Sequence, residues 1–102
     1  MSGLRVDVLH RTLIQRQSEL VAQLEPVHRK FIRMGHAGGG AYAGMRSRIK
    51  HKHIEEMRTA GYTQREAAES AHQCDEVAYL NADHDVFIEQ MGTALASVGS
   101  AS

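Results

Sequence analysis

The 102-residue chain is predicted to be all-α: two long amphipathic helices packed as an antiparallel hairpin, with a short basic helix and a glycine-rich hinge between them, assembled into an oligomer. Three observations predict this. Apolar residues return at steps of three and four along most of the chain, and no stretch shows the alternation of a half-buried strand. Five glycines crowd into the ten positions from Gly35 to Gly44, dividing the chain near its middle. Two helices of this length also leave much of their apolar surface uncovered, so association with a partner or with another copy is the default for so small a domain.

The first arm is expected over 1–34. Val6, Leu9, Leu13, Gln17, Leu20, Leu24, Val27, Phe31 and Met34 fall on one helical face, with Ile14 and Val21 widening it. Arg11, Arg16, Ser18 and Glu19 point elsewhere, so this helix is amphipathic and needs a neighbour. Pro26 lies inside the stripe. Having no N–H and clashing with the preceding turn, it predicts either a kink near Leu24 or a break with Pro26 opening a second helix, and the unbroken stripe favours the kink.

Gly35 is expected to stop the first arm, and 35–44 to form the hinge. A short basic helix follows over 45–60, with Met45, Ile49, Met57 and Ala60 on one face and Gly61 as its stop. Thr63 and Glu66 have capping-box spacing: the threonine side chain accepts from the backbone N–H three residues on, and the glutamate reaches back. The second arm then spans 63–96, with Ala67, Ser70, Cys74, Val77, Asn81, His84, Ile88, Met91 and Leu95 as its stripe. A small-residue tail, 97–102, should fray. All of this is one domain.

Net charge is zero, yet the charges are segregated. Residues 1–65 hold all twelve lysines and arginines against five acids; residues 66–102 hold seven acids and no base. Between Pro26 and Glu55 stand Arg29, Lys30, Arg33, Arg46, Arg48, Lys50 and Lys52, four histidines and no acid. Cations beside a glycine-rich loop suit a polyanion, because they bind phosphates through charge and counterion release. These seven residues are therefore the expected binding surface for the backbone of DNA or RNA. Tyr42 is the only aromatic near the glycines and there is no tryptophan, so base stacking should contribute little. The same segregation fits a second function class, a structural or adaptor subunit of a multi-subunit assembly, viral or otherwise, in which basic and acidic arms of neighbours meet, or in which an acidic protein binds the basic segment.

Enzymatic activity is not expected, since no serine, cysteine or lysine has a visible base partner. No cofactor is implied. Two Glu-x-x-His pairs, Glu25 with His28 and Glu69 with His72, have the spacing by which helical di-iron proteins supply ligands, which makes a metal-binding protein the third reading. No set of metal ligands is assigned, because Pro26 interrupts the first pair and the remaining glutamates fall off the stripes. His51 and His53 belong with the basic surface, and His84 is expected in the core or an interface. Gly61-Tyr62-Thr63-Gln64-Arg65-Glu66-Ala67-Ala68 resembles the opening of the helix-turn-helix of transcriptional repressors. That resemblance covers eight residues. It would imply DNA contact, although His72 stands where the motif has its turn glycine and the following helix would carry Asp75 and Glu76. No apolar run approaches the ~18 residues of a membrane span, and the lone Cys74 on a helical stripe reads as a buried reduced thiol. A cytoplasmic location fits these features, with no membrane partner.

Overall fold

The computed structural model describes the backbone of residues 2–35 and 39–101 and the side chains of 11–35 and 39–98. Every regular element among the described residues is a helix: α1 over Ser2–Met34, α2 over Gly40–Thr59 and α3 over Gln64–Ala101. The hinge is correspondingly shorter than expected. Gly40 and Gly44 lie inside α2, which begins five residues before the predicted start because Tyr42 buries itself against Phe31, with ring centroids 5.0 Å apart. Positions 36–38 of the expected hinge lie outside the described residues. Gly35, at φ 71°, closes α1, its N–H donating to the Ile32 carbonyl.

Pro26 is inside α1 and exposed, so the helix passes through it rather than breaking. The capping box is present: Thr63 N–H donates to Glu66 Oε1 at 2.9 Å and Glu66 N–H to Thr63 Oγ1 at 3.1 Å, which holds the Glu66 carboxyl below its ordinary range. α3 continues to Ala101, so the predicted tail from 97 is helical as far as that residue.

The two long helices run parallel, contrary to the antiparallel hairpin expected. Asn81 bonds Glu25, Arg29 bonds Asp85 and Arg33 bonds Glu89, a constant offset of 56 between α1 and α3. α2 opposes both, since Arg16 meets Glu56 while His28 meets Tyr42, and His53 meets Ser70 while Arg46 meets Asp75. The reason is the length of the middle helix. Twenty residues rise about 30 Å, which carries the chain back along α1 before it turns again.

Leu20, Leu24, Ala71, Cys74 and Ala78 form the central core, with Val21, Ile49 and Ile54 against it; Val27, Phe31 and Tyr42 close one end. The first arm's stripe is thus buried from Leu20 to Phe31, while Met34 is exposed and the side chains of Val6 and Leu9 lie outside the described residues. α2 buries Tyr42, His53 and Met57 rather than Met45 and Ala60.

α3 departs furthest from expectation. Its buried face is Ala67, Ser70, Ala71, Cys74, Asp75, Ala78, Ala82 and Val86, and the predicted stripe leaves the core after Cys74. Small side chains let helix axes approach closely, and an alanine face accommodates two neighbours at once. Val77, Ile88, Met91 and Leu95 are left outside.

The bundle is elongated, 68 × 31 × 14 Å. α1 ends at Met34, next to the Arg33–Glu89 pair, so 90–101 of α3 extends past it by roughly 18 Å at 1.5 Å per residue. Every described residue from Phe87 to Val98 is exposed.

Candidate functional site

Polar side chains tie the three helices together at two levels. At one, Gln17 of α1 donates to Ser70 Oγ of α3 at 3.3 Å, and His53 of α2 meets the same oxygen at 3.3 Å. Burial lowers the His53 pKa, so the ring is held neutral within the bundle, and this residue does not belong to the basic surface to which its sequence context assigns it. His51, in contrast, is exposed and paired with Glu55.

At the other level Asp75 is a hub. Its carboxylate accepts from Arg46 and from His28 Nε2 at 2.9 Å, with Lys50 Nζ at 3.6 Å. Desolvation pushes the Asp75 pKa up, but the bonds and charges of Arg46, Lys50 and His28 outweigh it and the net shift is downward. For His28 burial dominates over the pull of Asp75, and its pKa falls. The neutral ring then donates from Nε2 to Asp75 and accepts from the Tyr42 hydroxyl at Nδ1. Burial raises the Tyr42 pKa, keeping that hydroxyl protonated. A hydroxyl, an imidazole and a carboxylate in series have the connectivity of a nucleophilic relay. Here the chain is sealed, with His28, Tyr42 and Asp75 only 0, 3 and 4% exposed, and the Arg46 guanidinium, 4.9 Å from the Tyr42 ring, closes its outer side. The network works as a clamp across α1, α2 and α3.

The seven cations expected to bind a polyanion do not form one free surface. Arg29 is paired with Glu25 and Asp85, Arg33 with Glu89, and Arg46 and Lys50 with Asp75. Lys30, Arg48 and Lys52 have no carboxylate within ion-pair distance among the described residues; Lys30 lies 5.7 Å from the Phe31 ring. Most of the predicted charge complementarity is therefore satisfied inside one chain. The parallel packing lays the acidic α3 along Arg29 and Arg33 of α1, and α2 brings Arg46 and Lys50 to Asp75.

The two Glu-x-x-His pairs are not brought together. His28 faces the core while Glu25 bonds Arg29 and Asn81; Glu69 and His72 are on the surface, paired with Arg65 and Glu76. No group of three potential metal ligands occurs among the described residues. The helix-turn-helix likeness also ends at the structure, because α3 runs unbroken through His72. Cys74 is buried, its thiol pKa raised by desolvation. Among the described residues no helix is long and apolar enough to cross a membrane.

What remains is the outer face of α3. Val77, Leu80, Phe87, Ile88, Met91, Leu95 and Val98 are between 45 and 70% exposed and lie on the side opposite Ala71, Ala78, Ala82 and Val86. The hollows beside this row include two that α1 helps to line. One, of about 550 Å³, is lined by Ile14, Val21, Cys74 and Val77 in the seam between α1 and α3. The other, of about 610 Å³, is bounded by Ile32, Leu80, His84 and Phe87. Contiguous exposed apolar patches are where proteins commonly meet partners. Sequence periodicity finds several of these residues but assigns them to the core, since the alanines that displace them carry little hydrophobic signal. Comparison with protein-family models, with characterised proteins and with solved structures finds no match.

Proposed function

We propose that the protein is a non-enzymatic assembly or adaptor subunit, whose working surface is the outer apolar face of α3 and whose partner is another helix. The single observation behind this reading is the row from Val77 to Val98, left in water while alanines fill the core. Burying each large aliphatic side chain is worth roughly 1.5–3 kcal/mol, against about 1 or less for an exposed ion pair, so this face outweighs the surface charges as a source of affinity. A buried, protonated Cys74 suits a reducing setting, such as the cytoplasm or a viral assembly forming within it.

Light scattering coupled to size-exclusion chromatography tests the reading. Assembly through an apolar face survives high salt, and Leu95→Asp abolishes it. A protein that stays at the mass of one chain at every salt and concentration, with Leu95→Asp eluting identically, removes self-assembly from the reading. A second reading, contact with a nucleic-acid backbone, rests on Lys30, Arg48 and Lys52, of which Arg48 and Lys52 are exposed one turn apart on α2. A labelled duplex included in the same runs should co-elute at low salt only if those cations suffice.

A further inference from the structure

We infer that the occupant of the outer α3 face is a second copy of this chain, laid antiparallel against it about a two-fold axis beside Phe87 and Ile88. This rests on the assembly reading above and names its partner. The first ground is spacing. Val77, His84, Met91 and Val98 are seven residues apart, as are Asn81, Ile88 and Leu95, and the two rows interleave at steps of three and four. These are the a and d positions of three heptads, with Leu80, Phe87 and Ala94 as a third row alongside. Such a repeat fits a helix of like pitch over about 32 Å, whereas a flat surface or a small ligand has no use for it.

Length supplies the second ground. In the last turns of α3 every described side chain, from Gln90 to Val98, is exposed. Such exposed turns are held by helix propagation without the packing that stabilises most helices in proteins, so cover would stabilise them. In an antiparallel pair the bare turns of one copy lie on the Val77–His84 stretch of the other, which α1 and α2 support from behind. The apolar side chains involved expose on the order of 700 Å² per copy, close to the ~800 Å² that each partner contributes to a standard stable interface.

Charge supplies the third ground and fixes the direction. Glu76 and Asp83 flank the first half of the row, Asp85 and Glu89 being turned toward Arg29 and Arg33 of α1, and α3 has no base after Arg65. Residues 90–102 carry no ionisable side chain at all. A parallel pair would set each acid beside its own copy, whereas an antiparallel pair sets the acidic half against the neutral half and opposes the helix dipoles favourably. Val77 then meets Val98, and His84 meets Met91, a flexible side chain that packs well around a ring.

The test uses the full chain with Cys74→Ala as background, carrying either Val77→Cys or Val98→Cys. The two proteins are mixed, allowed to exchange and mildly oxidised. The expected result is a mass twice that of the chain by light scattering, a disulfide in the mixture, and little in either variant alone. Leu95→Asp should weaken the dimer by tenfold or more while leaving the helical circular dichroism and the urea midpoint of dilute protein unchanged, which separates a lost interface from a lost fold. Cross-linking of Val98→Cys with itself would overturn the antiparallel pair, as would a larger oligomer. A complex with a different protein, lost in Leu95→Asp, would overturn the second copy but keep the adaptor reading. No assembly of any kind, with Leu95→Asp behaving like the parent, would end both.

Discussion

The two faces of α3 invert the usual relation between side-chain size and burial. Ala67, Ala71, Ala78 and Ala82 are wholly buried, while Leu80, Phe87, Ile88 and Leu95 stand in water on the opposite side. The inner face is chosen by closeness, because α1 and α2 both pack on it and only small side chains leave room. Among the described residues nothing covers the outer face. One helix therefore holds its own bundle together with its smaller residues and leaves its larger ones exposed.

The contrast gives graded expectations. The largest effect belongs to the hub on the inner face. Asp75→Ala leaves Arg46, Lys50 and His28 without their shared acceptor, and breaking a buried pair from one side costs about 3–5 kcal/mol, here toward the lower end because Arg46 and Lys50 are part-exposed. Urea unfolding measures it. A loss under about 1 kcal/mol would mean that the clamp contributes little and that apolar packing alone holds the bundle.

Next comes size itself. Ala78→Leu forces a larger side chain between α1 and α3 and should cost about 1–3 kcal/mol, whereas Leu95→Ala in dilute protein should stay within about 0.5 kcal/mol. Equal losses in the two would erase the distinction between the faces. A stability gain from Ala78→Leu would show that the inner face is loosely packed.

The smallest expected effect is on pH dependence. His28 and His53 have folded-state pKa values below their ordinary 6.5, so the unfolded chain binds more protons as pH falls through that value, and stability declines below about pH 6.5. Asp75, lowered from 3.8, retains its contribution above that pH and loses it as acid protonates the carboxylate in the folded state. Thermal melts of His28→Gln against the parent should show a shallower decline between pH 7 and 5 in the variant. An unchanged slope would mean that His28 takes up its proton as readily in the folded chain as in the unfolded one.

Periodicity, glycine placement and the capping box were enough for the helical class, for the end of α1 at Gly35 and for the start of α3 after Thr63. The buried run from Leu20 to Phe31 could also be read directly, because in α1 the large residues are the buried ones. The same rule failed on α3. Hydrophobic periodicity weights large side chains, and an alanine-lined face with Asp75 in it scores as solvent-facing until the neighbours that claim it are known. His53 was misplaced for a related reason: composition around it is basic, and only the approach of Gln17 and Ser70 removes it from the surface.

The sequence by itself determined where the helices lie, that they are amphipathic and that their charges are segregated, because these depend on residues a few positions apart. The parallel course of α1 and α3, the Asp75 hub and the pairing of Arg29, Arg33, Arg46 and Lys50 were decided only by tertiary structure. Each depends on residues 25 or more positions apart meeting across helices. The length of α2 sets that meeting by carrying the chain back before α3 begins, and no local spacing encodes which face of α3 it then presents.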